Sequence, residues 1–284
     1  MIIPDPVAAW CKEKRFGKIT KAQSASGGCI NEGKRIFTAS GASFFLKQNS
    51  SAPIEMFQRE AEGLRALNVP DGPKVPQALL IGRDFLLLED LRPAARSSRY
   101  WEDFGHQLAC LHKHANPAFG FDHDNFIGST PQPNTWTKDG YQFFSQLRLI
   151  HQASLAHAKG LLNAKDVARV ESLASKLADI IPAQPASLMH GDLWTGNAMT
   201  NAAGGPSIID PAAHYGWAEA ELGMTTLFGS FPAAFYDAYV EVNPLESNWR
   251  ARLPLYNLYH ILNHLNLFGR DYYRQALAIL DRYS

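Results

Sequence analysis

The stretch that decides how this sequence is interpreted is His190-Gly191-Asp192-Leu193-Trp194-Thr195-Gly196-Asn197. Short segments with strand character flank it on both sides, so we predict that it forms a loop. Asp192 and Asn197 stand five positions apart within it, and Asp210 follows after one more apolar strand, Ser207-Ile208-Ile209. This spacing of two carboxylates and an amide is typical of protein-kinase-like catalytic loops.

Phosphoryl transfer requires few side chains, and this loop supplies them. One carboxylate orients the attacking hydroxyl and accepts its proton, while a second carboxylate and an amide hold the magnesium that neutralises the nucleotide phosphates. We therefore predict Asp192 as catalytic base and Asn197 and Asp210 as metal ligands, with ATP and Mg²⁺ as cofactors. The alternative is a hairpin whose Asp and Asn serve only its turns.

A kinase also needs a strand lysine paired with a helix glutamate. Lys47 ends an apolar strand, and residues 54–67 have helical periodicity. Glu60 falls within the apolar stripe of that helix, whereas Glu55 and Glu62 fall on the opposite side. Because an inward carboxylate costs several kcal/mol unless it is paired, we predict a Lys47–Glu60 ion pair. The alternative is that Glu60 lies at the edge of the stripe and reaches water.

A glycine-containing loop joins the first two predicted strands and is our candidate for contacting the nucleotide phosphates. It contains Gly27, Gly28, Cys29, Ile30 and Asn31, but it is neither a Walker motif nor a complete GxGxxG. Glycines there let backbone N–H groups approach phosphate closely. The same N–H groups would favour a thiolate at Cys29, so its oxidation is a hypothetical switch of ATP affinity. The alternative for Cys29 is a small loop residue without that role.

The apolar segment Phe85 to Glu89 is predicted to run as a strand into a hinge between two lobes. Backbone groups of Glu89, Asp90 and Leu91 would then meet the edge of the adenine. They complete the predicted nucleotide-binding set.

The pattern of the chain changes near residue 90. Before it we predict short strands and one helix, and after it mainly helices with a strand-rich insert. This order indicates an α+β fold with residues 1–90 as a nucleotide-binding lobe and residues 91–284 as a catalytic and acceptor-binding lobe. A ligand would be expected in the cleft between them. Residues 141–159 and 164–181 are each predicted to form one helix.

Composition excludes several classes of function. The 27 basic and 27 acidic residues of the 284 cancel, so nothing points to nucleic acid or to an anionic membrane. No stretch approaches the roughly 20 apolar residues of a membrane span. The three cysteines are widely spaced and form no CxxC pair, so neither disulfides nor zinc is suggested. We expect a cytoplasmic protein.

These motifs resemble the fructosamine kinase (ketosamine-3-kinase) family, and the resemblance spans nearly the whole chain. Its most specific pieces are His190 to Trp194 and Glu219 to Phe231. It implies a bilobal protein-kinase-like fold, with a small antiparallel-sheet N-lobe carrying one important helix and a larger, mainly helical C-lobe. It also implies ATP-dependent phosphorylation of the 3-hydroxyl of ketosamines, which are ribulosamine or fructosamine adducts of lysine, free or protein-bound.

The same resemblance implies deglycation as the outcome, since the phosphorylated adduct falls off. Members of the bacterial type tend to favour ribulosamines, and we expect a monomer or weak homodimer. Two alternatives stay open: a same-fold kinase for another small alcohol, such as an aminoglycoside or choline, and a non-catalytic nucleotide-binding pseudokinase.

Acceptor contacts are also predicted from the resemblance. Asn125 and Asn134 lie in a region that approaches the acceptor site in the family. His214 stands where a tyrosine is usual, Trp217 belongs to a pair that is usually more polar, and Glu221 replaces a usual aspartate. These departures follow Asp210 and would line the acceptor site, so they bear on the sugar preference.

Overall fold

The computed structural model describes residues 3–25 and 31–283. The N-terminal part consists of a helix, α1 (Asp5–Glu13), a five-stranded antiparallel sheet and a second helix, α2 (Met56–Leu67). The strands of this sheet are β1 (Ile19–Ala25), β2 (Glu32–Thr38), β3 (Ser43–Gln48), β4 (Ala78–Ile81) and β5 (Phe85–Glu89). They lie in the order β1-β2-β3-β5-β4.

The two faces of the sheet have different partners because side chains alternate along a strand. On β3, Phe44 and Leu46 join a small core with Val7 and Cys11 of α1. Lys47 therefore projects from the opposite face, where its ammonium meets Glu60 of α2. The two-residue period of β3 is what turns Lys47 toward α2.

The C-terminal part is mainly helical. Its helices are α3 (Tyr100–His112), α4 (Gly140–Phe144), α5 (His151–Ala158), α6 (Ala164–Ser175), α7 (Leu177–Ile180), α8 (Ala218–Met224), α9 (Ala233–Val242), α10 (Trp249–Phe268) and α11 (Tyr273–Tyr283). Helix α10 is buried along most of its length and ends at Gly269, whose φ is +88°. That left-handed conformation suits glycine and stops the helix.

Two of the predicted helices are interrupted. Residues 141–159 were expected to form one helix, but a π-helical segment, Ser145–Ile150, separates α4 from α5. Residues 164–181 divide between α6 and α7. Arg148 lies in this π-helical segment, and its charged side chain is buried in the core.

Short strands carry the loops between the helices. They are β6 (Ala115–Asn116), β7 (Asn125–Ile127), β8 (Thr130–Gln132), β9 (Ala186–Met189), β10 (Ala198–Thr200), β11 (Pro206–Ile208) and β12 (His214–Gly216). Strand β9 is the centre of a three-stranded sheet, β12-β9-β6, whereas β10 and β11 form a hairpin. The 190–197 stretch thus connects two separate small sheets, as a loop. The predicted α+β fold is confirmed.

The N-terminal and C-terminal parts pack closely. The larger hydrophobic core contains Phe57 and Leu64 of α2 together with residues from most C-terminal helices. A Cβ on Gly63 would lie 3.3 Å from side-chain carbons of Pro211 and Ala213, so α2 almost touches the segment after Asp210. A boundary near residue 90 stays a prediction. In residues 3–25 and 31–283, no helix combines the length and apolar character that crossing a bilayer requires.

Candidate active site

The 190–197 loop is fixed by its own histidine. His190 is buried, and its Nε2 donates to the carbonyl of Ile209 at 2.7 Å. Its Nδ1 must then accept, and it receives the backbone N–H of Asp192 at 3.2 Å. Burial lowers the pKa of His190, outweighing the opposing effects of Glu221 and the Ile209 carbonyl, so the ring is neutral. The imidazole therefore links Asp192 to the strand that leads to Asp210.

A second carboxylate supports the loop from below. Glu221, on α8, accepts the backbone N–H of His190 through Oε2 and that of Gly191 through Oε1, both at 2.7 Å. His112 Nε2 lies 3.2 Å from Oε2. Burial raises the pKa of Glu221, but the hydrogen bond with His112 and the electrostatic effects of His112 and His190 outweigh it, so the net shift is downward. Glu221 is thus an ionised anchor for the loop backbone.

Glu221 was predicted to line the acceptor site, but it lies against the backbone of the catalytic loop instead. Its sequence context carries the same signal as that of Glu60. A carboxylate within the apolar segment from Glu219 to Phe231 needs a buried partner. The sequence could not name that partner, because the partners are backbone groups about 30 positions earlier in the chain.

Asp192, the predicted base, has an environment suited to that role. Burial, followed by the charges of Asp210 and Glu221, raises its pKa to about 7, against a smaller opposing effect of Asn197. The Asn197 amide donates to the Asp192 carbonyl at 2.8 Å and lies 3.4 Å from its carboxylate. A general base works best with a pKa near the operating pH, so this shift favours proton transfer near neutrality.

The predicted Lys47–Glu60 pair is present, and it extends to a third residue. Lys47 Nζ lies 2.6 Å from Glu60 Oε1 and 2.6 Å from Asp210 Oδ1. The Lys47 and Glu60 side chains are 6% and 8% exposed, whereas Asp210 is 35% exposed. Burial lowers the pKa of Lys47, but Asp210 and Glu60 outweigh it and raise the pKa overall. The lysine is a cation held where the nucleotide end of the cleft meets the catalytic loop.

Breaking this pair should cost stability, because Lys47→Met leaves Glu60 buried without its cation. We expect the free energy of unfolding to fall by about 3–5 kcal/mol. The double variant Lys47→Met/Glu60→Gln removes the uncompensated charge and should recover part of that loss. Urea unfolding of the wild type and both variants measures it. Equal losses in both variants would show that the charge on Glu60 is not the cause.

The residues at the predicted metal site fit magnesium. Asn197 uses its amide nitrogen on the Asp192 carbonyl, which leaves the amide oxygen as a possible ligand. Asp210 uses Oδ1 on Lys47, and its backbone has a φ of +59°, which is uncommon outside glycine. In residues 3–25 and 31–283, no three or more His, Cys, Asp or Glu side chains are grouped so that they could hold a metal ion by themselves. A few oxygen ligands suit Mg²⁺, which keeps waters and phosphates in its shell.

These residues lie around one cleft of about 1120 Å³. The cleft is lined by predicted base, metal and nucleotide residues alike, namely Asn31, Lys47, Glu60, Glu89, Asp90, Leu91, Asp192, Asn197 and Asp210. The other four predicted phosphate-loop residues, Gly27, Gly28, Cys29 and Ile30, lie outside the described residues, and so does the Cys29 switch.

Several polar groups of the predicted hinge residues already have partners within the protein. The Glu89 N–H donates to the Gln77 carbonyl at 2.9 Å, and its carboxylate pairs with Lys74. The Asp90 carboxylate binds Arg35 and Ser43. Side chains of these two residues therefore hold the hinge, and the Glu89 N–H is not available to adenine. The remaining backbone groups from Glu89 to Leu91 stay the predicted contacts for the adenine.

Of the predicted acceptor residues, Asn125 alone lines the cleft, and both polar atoms of its amide already have partners in the fold. Its Nδ2 donates to the Ala213 carbonyl, and its Oδ1 accepts from Gln132 and Asn134. Asn134 is buried behind it and accepts from Arg148. This network stabilises the backbone that follows Asp210. The role of Asn125 and Asn134 in it is therefore structural, and the network shows no acceptor contact.

His214 and Trp217 are not brought to the cleft either. Both line a separate small internal cavity. Strand β12 pairs with β9, which buries His214, and its Nδ1 donates to the Ala212 carbonyl. Trp217 packs against the rings of Phe119 and Tyr256. The apolar surroundings explain the burial, and we leave both residues out of the proposed acceptor site.

The family model for fructosamine kinase matches residues 6–284. This chain belongs to the fructosamine kinase family. A "probable ketoamine kinase" of Synechocystis is 42% identical to this fructosamine kinase family member over 93% of the chain and 90% of the relative. A chloroplastic protein-ribulosamine 3-kinase of Arabidopsis thaliana is 38% identical over 98% and 87%. The predicted family and enzyme class, an ATP-dependent phosphotransferase, are confirmed.

Solved structures agree with this assignment to the fructosamine kinase family. The crystal structure of a "putative fructosamine-3-kinase" from Thermobifida fusca superposes with a TM-score of 0.88, at 32% identity over 98% of each chain. The choline kinase of Streptococcus pneumoniae matches with a TM-score of 0.66 at 15% identity, over 98% of this chain and 99% of that one, a likeness of fold alone. The predicted protein-kinase-like fold is confirmed.

Proposed function

We propose that this chain phosphorylates the 3-hydroxyl of ketosamines, the ribulosamine or fructosamine adducts of lysine, at the expense of ATP. Family membership along nearly the whole chain supports the acceptor class. The observation that carries the chemistry is Asp192, a half-buried carboxylate with a pKa of about 7 in the same cleft as the Lys47–Glu60–Asp210 cluster.

In the proposed reaction, the Asp192 carboxylate accepts the proton of the sugar hydroxyl as that oxygen attacks the terminal phosphorus of ATP. The bond from this phosphorus to the bridging oxygen breaks, and ADP leaves. Lys47, held by Glu60, places its positive charge near the nucleotide phosphates. Asn197 and Asp210 would hold magnesium, which supplies charge neutralisation on the phosphates. Glu221 and His190 keep the loop in position throughout.

Loss of the phosphorylated sugar from the amine would make the net outcome deglycation of free or protein-bound lysine. Ribulosamines are the expected preference, from likeness to bacterial-type members alone. The monomeric or weakly dimeric state and the cytoplasmic location stay predictions.

An acceptor panel tests the proposal. Purified enzyme with Mg-ATP is offered ribulosyl-lysine, fructosyl-lysine, choline and an aminoglycoside, and ADP release is measured. We expect turnover with the two ketosamines only, with phosphorus NMR showing the phosphate on the 3-hydroxyl. Asp192→Asn is the control for contaminating kinases. Phosphorylation of choline or the aminoglycoside, with none of either ketosamine, would overturn the proposal in favour of a same-fold kinase for another alcohol.

A further inference from the structure

One end of the cleft is formed by aromatic rings. Trp194, Phe228, His264, Phe268 and Tyr272, called here the aromatic platform, all line the cavity that contains Asp192. Ring centroids are 6.1 Å apart for Trp194 and Phe228, 4.7 Å for Phe228 and His264, and 5.4 Å for His264 and Phe268. Tyr272 lies 5.1 Å from His264. The rings therefore form a continuous surface. Its first member, Trp194, is only two residues after the proposed base, Asp192, in the sequence.

The platform is held in place by the catalytic loop and is open to solvent. Phe228 is 39% exposed and Phe268 is 48% exposed, unusual for side chains of this size. Phe228 has a φ of +53°, a rare conformation for a bulky residue, and its carbonyl accepts a hydrogen bond from Thr195 Oγ1 at 3.2 Å. Exposed rings on a constrained backbone beside a reactive group are a signal of ligand binding.

The platform end of the cleft carries no formal charge of its own. Among the described residues that line the cleft, the charged ones are Asp192, Asp210 and six from positions 35–90: Arg35, Lys47, Arg59, Glu60, Glu89 and Asp90. The neighbours of the platform are apolar or amide residues, such as Phe126, Ile127 and Asn263. His264 donates through Nδ1 to the His260 carbonyl, and burial lowers its pKa, so its ring is neutral.

This surface matches one part of a ketosamine. The sugar carbon next to the carbonyl bears a secondary amine, protonated at neutral pH, and the amine continues into an alkyl chain. Aromatic faces attract alkylammonium groups and cover methylenes, without needing a carboxylate. Among the described residues that line the cleft, the cations all come from positions 35–59, so none of the platform's own stretches supplies a lining cation for the α-carboxylate of a free lysine.

We propose that the aromatic platform binds the alkylammonium arm of the acceptor, and that the site does not recognise what lies at the far end of that arm. The inference rests on the proposed function and specifies how that site selects its substrates. The sugar lies at Asp192, and the arm crosses Phe228 and Phe268 toward solvent. An amine on a folded protein surface and an amine on a small molecule then present the same recognised group.

The test varies the ring and the arm together. Phe268→Leu keeps an apolar side chain and removes the aromatic face. We expect it to raise KM for the ribulosyl adduct of butylamine by ~3- to 30-fold, the range of a cation–π contact, with kcat changed less than about twofold. Trp136→Leu is the matched control, because Trp136 is also 39% exposed but does not line the cleft. It should leave both constants unchanged.

A neutral analogue of the butylamine adduct, with an ether oxygen in place of the amine, is tested on the wild type and on Phe268→Leu. The loss of the positive charge and the loss of the ring can then be compared. We expect the wild type to bind the ether ribuloside less tightly than the butylamine adduct by the same ~3- to 30-fold, and Phe268→Leu to reduce that difference. Adducts of butylamine, lysine and blocked lysine (Nα-acetyl-lysine amide) should have KM values within about threefold of one another.

Two results would overturn the inference while leaving the proposed function intact. One is an unchanged KM in both Phe268→Leu and Phe228→Leu, with the wild type phosphorylating ketosamines. The other is a preference of more than tenfold for free lysine adducts over blocked ones. If the wild type phosphorylates no ketosamine, the proposed function fails first and the inference fails with it, so the two failures are distinguishable.

Discussion

Replacing Asp192 by Asn is expected to lower kcat by ~10²- to 10⁴-fold while Mg-ATP still binds. The substituted amide is close in size to the carboxylate but cannot accept the proton of the sugar hydroxyl. The metal residues Asn197 and Asp210 and the Lys47–Glu60 pair are untouched. Steady-state kinetics with ribulosyl-lysine measures the loss, and titration with a fluorescent ATP analogue measures nucleotide affinity. Turnover within threefold of the wild type would show that another group is the base.

The pH profile provides an independent test of the same residue. The pKa of Asp192 is raised to about 7 by burial and by the charges of Asp210 and Glu221, so the carboxyl is protonated and inactive below that pH. We expect kcat/KM, which reports ionisations of the free enzyme, to fall as pH drops through about 7. The residual activity of Asp192→Asn should not show this decrease below pH 7. If the variant retains the same decrease, the ionisation belongs to a different group.

Replacing Glu221 by Ala is expected to lower the free energy of unfolding by about 3–5 kcal/mol. The backbone N–H groups of His190 and Gly191 would lose their acceptor in a buried site, and each such loss costs about 1–3 kcal/mol. His112 would lose its contact with the carboxylate as well. Chemical denaturation monitored by tryptophan fluorescence measures the change.

Two further variants make the Glu221 prediction specific. Glu221→Asp keeps a carboxylate on a shorter side chain and should lie between the wild type and the alanine variant. Glu241→Ala removes an exposed carboxylate that contacts His106 on the surface and should change stability by less than about 1 kcal/mol. A loss below 1 kcal/mol in Glu221→Ala would mean that the loop does not depend on this anchor.

Local periodicity carried the predictions that fitted the structure best. The alternation on β3 and the apolar stripe of α2 are short-range patterns, and together they single out Lys47 and Glu60 before any tertiary contact is known. The catalytic role of the loop that contains Asp192 could also be predicted from the sequence, because its residues are close together along the chain. The second partner of Lys47 was not predicted, since nothing local shows that Asp210 comes within 2.6 Å of it.

The predictions that fitted least were those without a physical argument behind them. Asn134, His214 and Trp217 were assigned from family likeness, and the structure buries all three away from the cleft. Conversely, the aromatic platform is assembled from three separate stretches: the catalytic loop, the turn after α8, and the end of α10 with the segment that follows it. No single stretch shows a site, because the proximity of Phe228 to His264 exists only after folding.

The contact between Lys47 and two carboxylates has a consequence for which form of nucleotide can enter. One ammonium facing Glu60 and Asp210 leaves a local excess of one negative charge, and a bare polyphosphate would add to it within a few ångströms. A nucleotide that brings a divalent cation would reverse that balance, because Asp210 would face the cation and Lys47 would be free to face the phosphates. By charge alone, this cluster is therefore expected to favour ATP that carries a divalent cation over uncomplexed ATP.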